Sequence, residues 1–300
     1  MNKRSTNNTT VGFKMTRRDI EIIRAVYTHR ALTTYQINNL HFSQGGLSRC
    51  RHRLKLLAHY GFLHREEQPS KLSDGRKPYV FMIDKNALPL LAEELGVFRE
   101  DIDWRPAHNR LTWRFLDHLL ATNDVRIAIE LAVQKKGFHL SRWLDDKTLK
   151  SNEMKDRVSI IGPEGANVEV TIVPDGYFLI WTGTHEYDRF LEVDMGTETG
   201  ISSKFGRRTF SRKLRGYMEY YISGLYEQKY LSKAMVVLTV TTSEKRMRNL
   251  MQLAENINEL NPLRFWFTTF DKVNSKSVLT EPIWHVPGQD QPRTLIWSEE

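Results

Sequence analysis

VEVTIVPDGYFLIWTGTHEYDRFLEVDMGTETGISSKFGRRTFSRKLR, residues 168–215, is the stretch whose reading decides the fold. The alternation of Val168, Val170, Ile172, Phe178 and Ile180 predicts a first strand that carries Pro174-Asp175. Phe190, Leu191 and Val193 predict a second, central strand that carries Glu192-Val193-Asp194. The basic run from Lys204 to Arg215 then leads into a helix. Acidic residues at the ends of adjacent strands, facing a basic helix start, suit a divalent metal and a phosphodiester. Hard cations take carboxylate oxygens, and Mg²⁺ usually needs only one or two of them beside phosphate and water. Asp before Gly is also an ordinary turn, and Glu-x-Asp at a strand end is ordinarily solvated. Both readings stand at this point.

Outward from that stretch, composition bounds the rest. Three hundred residues suggest two domains, and 40% hydrophobic residues suffice for a core in each. The single cysteine, Cys50, excludes an internal disulfide and a multi-cysteine zinc site, which fits a cytoplasmic protein. No apolar run reaches the ~20 residues of a membrane span, and MNKRSTNNTT has no apolar segment of the secretory kind. Residues 1–110 hold 19 Lys and Arg against 11 Asp and Glu, whereas residues 111–300 hold 25 of each. The whole cationic excess therefore lies in the N-terminal third, and nucleic acid is the partner this predicts.

That third reads as residues 1–13, a disordered basic tail, then a domain over 14–98 and a linker over 99–109, with the remaining domain over 110–300. Thr16 with Asp19, and Thr33 with Gln36, have the spacing of capping boxes at two helix starts. After Gly45-Gly46, the segment LSRCRHRLKLLAHYG turns Leu47, Cys50, Leu54 and Leu57 inward at helical spacing. Its outer face carries Ser48, Arg49, His52, Arg53 and Lys55. FLHREEQ and YVFMID then read as a β-hairpin with Lys71, Arg76 and Lys77 at its tip. Three helices and a basic hairpin resemble the winged helix-turn-helix of bacterial DNA-binding regulators, with Gly75-Arg76-Lys77-Pro78-Tyr79 as the wing. The resemblance implies duplex DNA binding, with the third helix in the major groove and the wing along the backbone. Solvation of an exposed helix face is the other account of the same arginines.

Beyond residue 109, a long helix or helix pair precedes FHLSRW, a short strand, and a polar insertion or hairpin over 147–167. FSRKLRGYMEYYISGLYEQKY reads as one helix, AMVVLTVT as a buried strand, SEKRMRNLMQLAENINEL as a helix capped by Ser243, and LRFWFTTF as another strand. This is an α/β plan, α+β over the whole chain, with helices covering a mixed sheet. The scattered histidines lack metal-ligand spacing, and no Ser or Cys nucleophile motif is present.

Pro174-Asp175 followed by Glu192-Val193-Asp194 and a basic helix resembles the restriction-endonuclease-like, or PD-(D/E)xK, fold. With the N-terminal winged helix, the layout is similar to the replication-relaxation family of plasmids and mobile elements. The stretches that carry this are His118–Val125, Pro174-Asp175, Leu191–Thr197, and Lys213 with Tyr217. The resemblance implies Asp175 and Glu192 as catalytic carboxylates, and Asp175, Glu192 and Asp194 as ligands of Mg²⁺ or Mn²⁺. The basic run from Lys204 to Arg215 adds Arg207, Arg208 and Arg212 as expected DNA contacts. The pattern departs from the fold at one place: Asp194 stands where a lysine normally helps activate the attacking water. Lys204 or Lys213 could supply that cation, and Glu130 could add a ligand. Without a lysine, the domain is a degenerate nuclease kept for DNA or partner binding. The leading expectation is a homodimeric, non-enzymatic duplex-DNA-binding accessory protein in a nucleoprotein complex of a mobile element, with no membrane partner and no certain cofactor. A metal-dependent endonuclease and a transcriptional regulator are the alternatives.

Overall fold

A computed structural model describes residues 13–43, 45–70, 75–162, 165–196, 209–257 and 262–297. The chain divides into two compact units, Met1–Asn123 and Asp124–Glu300.

In the first unit, both capping boxes form. Helix α1 (Arg17–His29) starts at Thr16, whose backbone N–H donates to Asp19 at 2.7 Å. After strand β1 (Leu32–Thr33), Thr33 and Gln36 cap α2 (Thr34–His41) in the same reciprocal way. Helix α3 (Leu47–His59) buries Cys50, Leu54 and Leu57, as α1 buries Ile22, Ile23 and Val26 and α2 buries Ile37. Cys50 is fully buried in the core, and that burial pushes its thiol up to about 11. Strands β2 (Leu63–Glu66) and β3 (Val80–Ile83) form the expected hairpin, and β1 adds to it in the order β1-β3-β2. A short helix α4 (Leu88–Leu95) follows.

The segment 99–109 forms two 3-10 turns, Arg99–Asp101 and Pro106–Asn109, and Asn109 donates to the Ile83 carbonyl at 2.8 Å. The next helix, α5 (Trp113–Lys136), is a single 24-residue element. Its Leu116, Leu119 and Leu120 pack with Ala31, Val80 and Met82. Gln36 donates to the Leu120 carbonyl at 2.9 Å, and Asn123 donates to the carbonyls of His29 and Ala31 at 3.0 and 2.8 Å. The first unit thus ends inside α5, beyond the linker that composition marks.

In the second unit, strand β4 (His139–Asp145) is followed by a single-turn α6 (Asp146–Leu149). Strands β5 (Asp156–Ile161) and β6 (Asn167–Ile172) then pair as a separate hairpin. Here the structure corrects the reading of one continuous strand through Pro174-Asp175. Val168, Val170 and Ile172 belong to β6, whereas Phe178 and Ile180 belong to β7 (Gly176–Trp181) in another sheet. Pro174 has no N–H to offer a ladder, and pairing resumes at Asp175, whose amide donates to the Leu191 carbonyl at 3.0 Å.

Strand β8 (Glu186–Asp194) lies antiparallel to β7 and parallel to β9 (Val237–Thr241), and β10 (Phe265–Thr269) completes a mixed sheet in the order β10-β9-β8-β7-β4. The expected single helix before β9 breaks at Gly224, with φ +76°, into α7 (Phe210–Ile222) and α8 (Leu225–Tyr230). Between β9 and β10, α9 (Glu244–Glu255) is capped by Ser243 as expected. Helix α7 lies on the β5–β6 hairpin so closely that a Cβ at Gly216 would stand 2.7 Å from Val170 Cγ1. A core of Phe190, Tyr217, Tyr220, Tyr226, Phe265 and Phe267 fills the space between α7, α8 and the sheet. After β10 the chain packs back onto it, with Phe267 bridged to His285 and Trp284 fully buried. The fold is mixed α/β. Among the described residues no helix is long and apolar enough to cross a membrane.

Candidate functional site

Antiparallel pairing of β7 and β8 sets Gly176 opposite Leu191, so Asp175 at the start of β7 adjoins Glu192 near the end of β8. One Asp175 carboxylate oxygen accepts the Val193 amide at 2.8 Å. Glu192 is 2% exposed and points toward α7, where Lys213 and Tyr217, four residues apart, share one face. Lys213 Nζ donates to Glu192 Oε2 at 2.9 Å, and the Tyr217 hydroxyl donates to Glu192 Oε1. Burial pushes the Glu192 carboxyl up to about 7; Lys213 pulls it back and Asp175 adds to the rise. Burial and the same carboxyl push the Tyr217 phenol well up, so it remains a protonated donor.

The structure therefore brings Asp175, Glu192 and Lys213 together. The cation comes from a helix, where the sequence pattern has Asp194 in its place. Asp194 faces other partners: Arg246 at 2.9 and 3.1 Å and the Thr241 hydroxyl at 2.6 Å. Burial would raise its pKa, but these donors outweigh burial and hold it below the usual carboxylate value. Glu130 is held by Arg126 at 2.7 Å within α5. Among the described residues no three His, Cys, Asp or Glu side chains come together as metal ligands. Both oxygens of Glu192 already accept hydrogen bonds, and Asp194 is committed to Arg246. Asp175 and Glu192 are the two carboxylates that would hold a hard cation here, and Asp194 would not join them. Sequence reasoning gives Tyr217 no role at the acidic pair, although its spacing from Lys213 on an amphipathic helix marks it.

The residues expected to meet DNA fall into four groups. Ser48, Arg49, His52 and Lys55 are exposed on α3, with Arg51 exposed beside them. Arg76 and Lys77 are exposed beyond the hairpin tip; Arg76 lies 3.9 Å from Glu67. Arg53 is different, and here the structure corrects the helical-face reading. Its Nε donates to buried Asp19 at 2.5 Å, its terminal nitrogen to the Lys14 carbonyl at 2.6 Å, and its guanidinium lies 4.8 Å over Phe13. Arg212 likewise donates to the Glu169 carbonyl at 2.6 Å and ties α7 to β6. Lys71, Lys204, Arg207 and Arg208 lie outside the described residues.

The sequence pattern of the replication-relaxation family matches residues 23–234, more than two thirds of the chain. No curated protein matches it. Among solved structures, the restriction endonuclease FokI is similar at 12% identity with a TM-score of 0.28. That alignment covers 87% of this chain and 45% of the enzyme, and at such a score it carries no argument about activity.

Proposed function

The chain belongs to the replication-relaxation family, and from that premise we propose that it is a sequence-specific duplex-DNA-binding accessory protein of a mobile element. It acts where replication, relaxation or transfer begins, as a homodimer within a larger nucleoprotein complex. The first unit works as a winged helix: α3 enters the major groove and the β2–β3 tip follows the backbone. The observation that carries this reading is the outer face of α3. Arg49, His52 and Lys55 are exposed there and make no ion pair among the described residues. Arg49→Ala is expected to cost about 1–3 kcal/mol in binding and to relax preference at one base position. Lys77→Ala is expected to weaken all sequences alike and flatten the salt dependence by roughly one phosphate contact. Salt-titrated binding to a site selected from random duplexes measures both. Full affinity in a variant lacking Arg49, Lys55 and Lys77 side chains sinks the assignment.

A second reading, a metal-dependent DNA endonuclease, is favoured by one observation: Lys213 lies 2.9 Å from Glu192. A lysine in that place can orient or activate water beside a metal-bound phosphate. Against it stand the commitment of Asp194 to Arg246 and the burial of Glu192. Plasmid DNA incubated with the protein and Mn²⁺ is therefore expected to stay supercoiled. Nicking that vanishes in Asp175→Ala makes the protein an enzyme.

A further inference from the structure

We propose that the first unit binds a small aromatic anion at the foot of the β2–β3 hairpin. A cavity of about 530 Å³ lies there, within the roughly 300–1,000 Å³ typical of small-molecule sites. Met82 of β3, Leu111, and Trp113 and Leu116 of α5 supply its apolar walls, and Trp104 closes the lining with a second indole. The Trp104 indole N–H is buried and has no acceptor. That N–H is closed to solvent, so the Trp104 ring, not its N–H, meets what enters the cavity.

The charged groups at the cavity are unevenly committed. Glu66 meets His64 at 3.1 Å, and the Asp84 carboxylate accepts the Lys85 amide at 2.7 Å. The side chains of Lys85 and Arg110 line the same cavity, are exposed, and make no ion pair or hydrogen bond among the described residues. What the pocket offers a ligand is thus two unpaired cations, Lys85 and Arg110, above aromatic and aliphatic walls, beside two carboxylates that already hold partners. Arg110 presents a planar fork suited to a carboxylate, and the two indoles suit a flat ring. An aromatic carboxylate meets both the cations and the walls, whereas an uncharged ring leaves the cations idle. This site is separate from the α3 outer face, so the proposal goes beyond DNA binding.

The test is an NMR titration of the full ¹⁵N-tryptophan-labelled chain with indole-3-carboxylate and with 1-naphthoate, indole serving as the uncharged comparison. Trp104→Phe identifies the Trp104 indole signal. That signal is expected to move saturably with a Kd below about 1 mM for at least one of the two acids. Indole should bind at least about tenfold more weakly, and the exposed double variant Lys85→Gln/Arg110→Gln should weaken the acid by a similar factor. No saturable shift for either acid up to about 10 mM overturns the proposal. So does binding that the double variant leaves unchanged, or shifts confined to tryptophans other than Trp104 and Trp113.

Discussion

Arg53→Ala is expected to destabilise the protein by about 3 kcal/mol, the scale of removing one partner from a buried ion pair. Asp19 is fully buried, and Arg53 reaches it with two guanidinium nitrogens. Without them the carboxylate keeps only the Thr16 amide and hydroxyl, which belong to the helix cap. Burial works to raise the Asp19 pKa, but the hydrogen bonds from Arg53 and Thr16 hold it below the ordinary value. A depressed carboxylate contributes stability that is present above the unfolded pKa and lost as pH falls through the folded one. The wild-type chain should therefore lose this contribution below about pH 4, whereas Arg53→Ala lacks most of it already at neutral pH. Urea unfolding of Arg53→Ala beside Arg49→Ala measures the contrast. An Arg53→Ala chain that melts like wild type yet loses DNA affinity as Arg49→Ala does would return Arg53 to the binding face.

Glu192→Gln is expected to become steadily more stable relative to wild type between pH 5 and pH 8. The Glu192 carboxyl is raised from 4.5 to about 7 by burial, so the unfolded chain ionises first as pH rises. The sign follows directly: its contribution is fully present below pH 4.5 and is lost as pH climbs through about 7. A rise from 4.5 to about 7, with the pull of Lys213 already in it, corresponds to roughly 3 kcal/mol. Glutamine keeps an oxygen for Tyr217 or Lys213 and does not titrate, so the difference between the two chains isolates this group from the histidines. Urea midpoints at pH 5, 6, 7 and 8 read it. A wild-type-minus-variant difference that is flat with pH means Lys213 keeps Glu192 ionised throughout.

Local chemistry is legible in the sequence, and distant partners are not. Thr16 with Asp19 and Thr33 with Gln36 announce their helices because each box closes within three residues. Asp175, Glu192 and Lys213 follow from a pattern of strand ends and a basic helix, and they do converge. Helical spacing assigns Arg53 to an outer face, because it cannot register Asp19 on another helix. Strand alternation groups Asp194 with Glu192, while its true partner, Arg246, lies 52 positions on. The false single strand through Pro174 arises because alternation in β6 and β7 runs on in phase, and nothing local says that β6 pairs with β5 instead.

Helix α5 also limits how the gene can be divided. A fragment that stops at residue 98 or 109, where composition invites a cut, omits Leu116, Leu119 and Leu120. It would leave Ala31, Val80 and Met82 facing water and the carbonyls of His29 and Ala31 without the Asn123 amide. A shuffled or truncated version of the first unit can inherit its fold only if the reading frame carries it through Asn123, into a helix whose remaining turns belong to the other unit.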